Sequence, residues 1–593
     1  MEETLEEELQ SSPLEPLKKN FRRFLFRSYH LLLNGYTSFI IIAIGIGIAS
    51  GLLNFIFVES YELLYNRVVI PFWGSPLVVL PLVSGSLILV VLSFIFPDIL
   101  GYGFPRFLER VNLRGGIISP KETLAKAIGS CVTLGFGGSA GQEGPIAQIG
   151  GAVGSIFGQV LKVPRNKIRV LVACGVAAGI AATFNAPIAG VLFAEEIALL
   201  RDFKIVSFVP IVIASAVGTI TSRMLRGGEP IFEVPPYQLL AYKELFFYAL
   251  FGIISGILAA GFIKLFYGVK DSIGELRLPN YTKPIIGGIS VALIGVFFPY
   301  VLGNGYEHVE KALLGELPFW IALGLIVLKP LATSLTIGSG WPGGIFAPSI
   351  FIGAMIGNTF GHMVESVFTN SVNLSSAYAT VGMGTFLAAI TQAPLTSIFL
   401  IFEVTQNYQV VIPIMISSVL GSIVTQILVG GSLESIELRR MGLNLEEEPE
   451  VNLLKSIRVR DVMNPKVESI PENMTLRKLI EYIPKSRYTT FPVVDQKGLL
   501  VGIISVQDLR EWLFEESLKD LVVVKEVATL SVLTVTPDET MDVVLKKWSK
   551  KPVEILPVVE SSGSKKIVGI LSRKAIITAY NRAISGEPIE VRV

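Results

Sequence analysis

Gly175–Pro187 reads GVAAGIAATFNAP and Gly382–Pro394 reads GMGTFLAAITQAP. Each places a glycine twelve residues before the proline of an Ala-Pro, with an Ala-Ala pair at the same position. Each then runs nine residues from that proline to a glutamate, Glu196 or Glu403. Upstream, GQEGPIAQIGGAVG (Gly141–Gly154) matches GIFAPSIFIGAMIG (Gly344–Gly357), with Pro145 over Pro348 and Glu143 over Phe346. Two pairs of patterns in the same order read as a duplication, with halves at about 34–222 and 244–431 and a polar break, Arg223–Lys243, between them.

The surrounding composition says where such a repeat lives. Of 593 residues, 51% are hydrophobic and 17% charged, with a mean hydropathy of +0.60. Soluble domains carry roughly 25% charged residues, so much of this chain belongs in lipid. Phe39–Val58 and Leu245–Phe266 can each cross a hydrocarbon core of about 30 Å. Ile146–Leu161 and Val170–Ala182 read as short or broken by glycine. Interrupted helices at membrane depth are tolerated where they pack against protein or line a watery cavity, which points to a transporter and not to a bundle of plain spans. Lys+Arg and Asp+Glu number 50 and 49, a balance that argues against a nucleic-acid partner. Cys131 and Cys174 lie in apolar runs and read as core residues, not a disulfide framework. His30, His308 and His362 are too far apart in sequence to suggest a metal cluster. No cleavable signal peptide is visible. An acidic run, Met1 to Glu8, and a basic one containing Lys18, Lys19, Arg22, Arg23 and Arg27 precede the first apolar segment. The positive-inside rule then predicts a cytoplasmic N-terminus in a multi-pass membrane protein.

Three loops rich in Gly and Pro stand directly before apolar helices: Gly101–Pro105 (GYGFP), Gly138–Pro145 (GSAGQEGP) and Gly338–Pro348 (GSGWPGGIFAP). Glycine lets backbone approach an ion closely, and proline suits the first turn of a helix. A helix start offers unpaired N–H groups and a partial positive charge. Several converging starts can hold a partly dehydrated anion without the tight grip of a full cation. The other reading is that these are tight turns between packed helices.

The loops and their order resemble the CLC family of chloride channels and chloride/proton exchangers, over nearly all of residues 35–440. The resemblance implies an all-α polytopic membrane domain of two inverted repeats with short broken helices, assembled as a homodimer with one pathway per subunit. It implies chloride or a similar anion as cargo, and protons if the protein is an exchanger. Glu143 matches the gating glutamate, which competes with the anion while ionised and leaves when protonated. Gly141, Ile345 and Phe346, with Tyr102, Gly103 and Phe104, match the anion-binding set. Three positions depart from the family. Tyr102 stands in place of its central serine. Glu434, in SLESIELRR, falls at its central tyrosine and is the candidate inner gate. Glu196 is the shared helix-end glutamate, so the proton position after it is Ile197; Glu195 substitutes only if the helix is rotated or bulged. Glu195 and Glu196 are thus the candidate inner proton path. Lys126 and Lys329 sit in apolar segments, either raising the potential along the path or snorkelling or pairing with a carboxylate.

Past residue 440 the pattern changes to short strands and helices. TTFPVVDQKGLLVGIISVQDL (Thr489–Leu509) is followed by a second copy within Leu533–Ile576. This resembles a tandem of CBS domains. The expected layout is a lead-in at 1–33, a membrane domain at 34–440, a linker at 441–458, and CBS copies at 459–516 and 517–593, forming a cytoplasmic α/β domain. The resemblance implies one adenine-nucleotide site using Ser505 and Asp508. The second copy offers Ser572 but Ala575, and otherwise no cofactor is expected. A passive chloride channel and a fluoride or nitrate transporter stay open as alternatives. An intramembrane metalloprotease needs His-Glu-x-x-His, which the sequence lacks, so no enzyme is expected. A divalent-cation transporter needs clustered oxygen ligands that the membrane region does not supply.

Overall fold

A computed structural model describes residues 36–200, 205–228, 231–232, 234–235, 244–367, 374–443, 454, 457–512, 515–549 and 553–585. The lead-in at 1–33, with His30, and most of the linker lie outside these residues. The chain divides into two compact units at Leu438/Arg439.

The first unit is helical. Its first half contains α1 (Tyr36–Val68), α2 (Val79–Ile95), α3 (Phe104–Leu113), α4 (Pro120–Gly135), α5 (Glu143–Val160), α6 (Arg165–Phe184), α7 (Pro187–Phe193) and α8 (Ile205–Arg226). The second half repeats them as α9 (Glu244–Glu275), α10 (Lys283–Phe297), α11 (Tyr306–Leu313), α12 (Phe319–Gly338), α13 (Phe346–Val367), α14 (Leu374–Thr391), α15 (Pro394–Thr405) and α16 (Val411–Val429). A short α17 (Leu433–Arg440) follows. Among the described residues, eight helical stretches are long and apolar enough to cross a membrane.

The duplicated motif has a local cause. Asn185 and Gln392 adopt left-handed backbone (φ 53° and 56°), ending α6 and α14, and Pro187 and Pro394 open the next helices. A left-handed residue stops a helix and proline starts one, so the chain turns at the same point in both halves. Contacts between the halves are reciprocal. Gly141 N–H donates to Gly344 O at 2.7 Å, and Gly344 N–H donates back to Gly141 O at 2.8 Å. Gly101 N–H donates to Gly340 O, while Gly303 N–H donates to Gly137 O. Ile188 and Ala189 amides donate to Glu403, and Leu395 and Thr396 amides donate to Glu196. When a contacts b′ and a′ contacts b, the halves are related by a two-fold axis.

The glycines of α5 and α6 do not break the helices, contrary to the sequence expectation. They let backbones touch. A Cβ on Gly175 would lie 1.8 Å from Gly150 O, and one on Gly382 would lie 2.2 Å from Gly353 O. The span containing Val170–Ala182 is a continuous helix with 83% of its apolar window buried, so it is shielded from lipid by protein.

The second unit holds two small sheets. Parallel β1 (Ile470–Pro471) joins β2 (Thr490–Val494), which pairs antiparallel with β3 (Leu500–Ser505); β4 (Ile555–Val559) pairs antiparallel with β5 (Ile567–Ser572). Both hairpins carry a register shift at the same place, Val493/Val494 and Val558/Val559. Each copy has its own core: Ile470, Leu479, Phe491 and Ile504 in the first, Val459, Trp548, Leu556 and Leu571 in the second. The bulge and the matching cores mark the copies as duplicates of one α/β motif.

Candidate functional site

Three helix starts meet in the middle of the first unit. Phe104 begins α3, Glu143 begins α5 and Phe346 begins α13. A Cβ on Gly144 would lie 3.3 Å from Gly344 Cα and 4.0 Å from Phe104 Cβ, so the starts are in van der Waals reach of each other. The first N–H groups of a helix have no intrahelical acceptor, and three such ends concentrate positive potential in one place. The rings of Phe104, Phe193 and Phe346 close around it, with centroids 6.2 and 5.4 Å apart in sequence along that chain of contacts.

Glu143 is fully buried at this junction. Its Oε2 accepts from Ala347 N–H at 3.1 Å, in the first turn of α13, and its Oε1 accepts from the Tyr306 hydroxyl at 2.5 Å. Beside it, Gln142 Oε1 accepts from the Tyr61 hydroxyl at 2.5 Å. Tyr61 and Tyr306 also line a cavity of about 270 Å³ with Tyr65, Asn66, Asn304 and Glu307. The internal carboxylate therefore occupies a helix-start position of the kind an anion would take.

The other expected anion-site residues have partners of their own. Gly141 N–H is committed to Gly344 O, so Gly141 shapes the turn; a Cβ there would lie 2.5 Å from Glu143 Oε2. The Tyr102 hydroxyl donates to Glu434 Oε1 at 3.0 Å. Glu434 is almost completely buried, and the Tyr267 hydroxyl donates to the neighbouring Leu433 O at 2.6 Å. Lys270 pairs with Glu437 on the same short helix. Gly103 packs against Lys126 and Gln148, and Ile345 and Phe346 lead into the turn whose Ala347 amide Glu143 occupies.

The two buried lysines both donate to loop carbonyls. Lys126 Nζ donates to the carbonyls of Ile99 and Gly101 at 3.2 and 2.9 Å, and also to Leu100 O at 2.5 Å. Lys329 Nζ donates to Val301 O at 2.9 Å and Gly303 O at 2.8 Å, with its ammonium 4.9 Å from the Phe351 ring centroid. Each lysine ties down a loop of its own half by carbonyls, which satisfies a buried ammonium better than an apolar wall does. The first loop delivers Tyr102 to Glu434; the second delivers Tyr306 to Glu143.

Helix α7 runs directly into a π-turn, Ala194–Ala198. A π-turn accommodates one extra residue and rotates those after it. Glu195, Glu196 and Ile197 all lie within it. Glu196 accepts from Thr396 N–H and Oγ1–H at 2.7 and 2.8 Å and so caps the start of α15; Glu403 caps the start of α7 in the reciprocal way. Glu195 is fully buried in the same turn.

In the second unit, Ser505 N–H and Oγ–H both donate to Asp508 Oδ2, at 2.7 and 2.8 Å. In the second copy, where Ala575 replaces the aspartate, Ala575 N–H donates to Ser572 Oγ at 3.2 Å. Among the described residues, no group of three or more His, Cys, Asp or Glu residues is arranged to hold a metal ion.

Tyr306, Ala347, Gln142 and Tyr61 were not singled out from sequence. For Tyr306 a signal existed: LGYGF (Leu100–Phe104) recurs as LGNGY (Leu302–Tyr306), which makes Tyr306 the repeat counterpart of Phe104. Tyr61 sits in a long apolar helix with nothing local to mark it.

Comparison with known proteins agrees with this architecture. The sequence pattern of the voltage gated chloride channel family matches residues 84–426, and that of the CBS domain matches 459–515 and 524–582. A ClcB-like chloride channel protein of Ralstonia nicotianae is 32% identical over 356 residues, covering 59% of this chain and 82% of the relative. The H(+)/Cl(−) exchange transporter ClcA of Vibrio campbellii is 30% identical over 382 residues, covering 63% of this chain and 81% of the relative. Among solved structures, a slow cyanobacterial Cl−/H+ antiporter superposes with a TM-score of 0.61 at 27% identity, over 69% of this chain and 98% of that one.

Proposed function

Because the chain belongs to the voltage gated chloride channel family and carries a tandem CBS pair, we propose that it moves chloride across a lipid bilayer in exchange for protons, with Glu143 as the gate. The observation that carries this is the Glu143 carboxylate on the Ala347 amide. Ionised, it competes with an anion for the α13 start. Protonated, it has no charge with which to compete, and the place opens. A hydrogen bond to an ionised group is worth about 1.5–3 kcal/mol, which a passing anion can match. One side chain thereby links proton uptake to anion entry. Relatives bearing exchanger names support the same reading.

Glu434 is the inner gate in this proposal, held by Tyr102. Glu195, in the π-turn, is the inner proton carboxylate, while Glu196 serves the α15 start. The N-terminus and the CBS pair face the cytoplasm, the assembly is a homodimer with one pathway per subunit, and an adenine nucleotide at Ser505 and Asp508 regulates transport. One observation favours a second reading, passive chloride flow: Ile197, buried at the family's proton position, cannot carry a proton.

The test is anion and proton flux from liposomes holding the purified protein, with a chloride gradient and a pH-sensitive dye, beside Glu143→Ala. Chloride movement that drives protons uphill, and loses that ability in Glu143→Ala, is the expected result. Chloride flux with no proton movement in either protein would replace the exchanger by the passive pathway.

A further inference from the structure

The Glu143 carboxylate is held from two sides, and only one holder belongs to the helix start. The other is the Tyr306 hydroxyl, brought in from the opposite half of the repeat at 2.5 Å. Tyr306 is the first residue of α11, and its arrival is closely determined. Gly303 and Gly305 adopt positive φ (60° and 83°), which allows the loop to turn sharply before the helix. Lys329 fixes the same loop through Val301 O and Gly303 O. The Tyr306 ring lies edge-on to Phe232, with centroids 5.3 Å apart at 89°. The hydroxyl end is aimed at Glu143, and the ring borders the cavity of about 270 Å³.

We propose that Tyr306 is the latch of the Glu143 gate: its hydroxyl, presented from the cavity wall, keeps the carboxylate on the Ala347 amide and so sets how often the anion position is vacated. The argument rests on Glu143 being the gate. It makes Tyr306 a positioning residue, acting on the anion only through the glutamate. The hydrogen bond spans the two halves of the repeat, so the rate of gate opening is set by how the loop ahead of α11 is held and not by α5 alone. Removing the hydroxyl while keeping the ring leaves the Phe232 contact intact and the carboxylate on backbone donors alone.

The experiment is a double-mutant comparison in liposomes: wild type, Tyr306→Phe, Glu143→Ala and the two combined, each read for chloride flux and for protons moved per chloride. Loss of one hydrogen bond to an ionised group corresponds to about a tenfold or greater shift in the vacated fraction. Tyr306→Phe is therefore expected to raise chloride flux by about that factor and to lower the protons moved per chloride. In the Glu143→Ala background the same substitution is expected to change neither quantity, because the latch has nothing to hold. Tyr65→Phe, which removes a different hydroxyl from the same cavity, is expected to leave flux as it was. An equal rise from Tyr306→Phe in both backgrounds would overturn the latch while leaving the gate standing. No rise in either background, with the variant shown to be monodisperse and to melt like wild type, would also overturn it. If Glu143→Ala itself left flux and coupling unchanged, the gate reading would fall, separately from the latch.

Discussion

Glu196 and its repeat partner Glu403 offer a test that separates a structural carboxylate from a proton carrier. Glu196 is nearly buried and accepts two short hydrogen bonds from Thr396, at 2.7 and 2.8 Å, with a longer one from Leu395 N–H at 3.3 Å. Two charge-assisted bonds at about 1.5–3 kcal/mol each, discounted for their sharing one residue, put Glu196→Ala at about 3–5 kcal/mol of destabilisation. The buried Thr396 hydroxyl and amide would lose their acceptor together. Glu403 is half-buried and accepts only backbone bonds, from Ile188 at 2.9 Å and Ala189 at 2.7 Å. It resembles an ordinary helix cap, so Glu403→Ala is expected to cost about 1–2 kcal/mol. Glutamine at either position keeps one acceptor oxygen and should recover about half of the loss. The assay pairs thermal unfolding in detergent with protons moved per chloride in liposomes. If the reading is right, the Glu196 variants melt earlier than the Glu403 variants, and Glu196→Gln moves as many protons per chloride as wild type. Loss of proton movement in Glu196→Gln with an unchanged melting temperature would refute it and make Glu196 the proton carrier.

Four further outcomes follow from the same geometry. Gly175→Val should yield little monodisperse protein in size-exclusion chromatography, since even a Cβ would lie 1.8 Å from Gly150 O; Gly261→Ala, with nothing within 4 Å, should melt at or slightly above wild type, consistent with a gain of up to about 1 kcal/mol. Lys329→Met should release the loop ahead of α11 and raise chloride flux in liposomes, with the effect absent once Tyr306 is already Phe. Glu434→Gln should raise chloride flux, because the negative charge is removed from beside Tyr102; an unchanged rate would show that this carboxylate stands clear of the path. Asp508→Ala should abolish any adenine-nucleotide binding measured by calorimetry on the full-length protein, whereas Ser572→Ala should leave it unchanged.

Much of the first unit was legible in residue order. Glycine, proline and Ala-Pro spacing mark backbone events, and backbone events are local: the left-handed residues Asn185 and Gln392, and the helices opening at Pro187 and Pro394, follow from their own neighbours. The same is true of the strand–bulge–strand copies in the second unit. Glu143 was legible because the loop that carries it matches the gating glutamate of the family that the three loops resemble. What the glycines of α5 and α6 do was not legible. A glycine that interrupts a helix and one that lets two helices touch are the same letter, and only the position of Gly150 against Gly175 tells them apart.

The sequence by itself determined that this is a duplicated membrane protein, that Gly- and Pro-rich loops open several of its helices, and that a carboxylate stands at one of those starts. Tertiary structure alone decided who meets whom. Tyr102 faces Glu434, Tyr306 reaches Glu143 across 163 residues, and both buried lysines spend their charge on loop carbonyls. Hydrogen-bond partners are chosen by proximity in the folded chain, and a two-fold repeat brings residues of opposite halves together at separations that no local pattern encodes. A hydroxyl or an ammonium has the same sequence signature whichever acceptor it finds. In a medium without water to satisfy it, the fold must supply that acceptor.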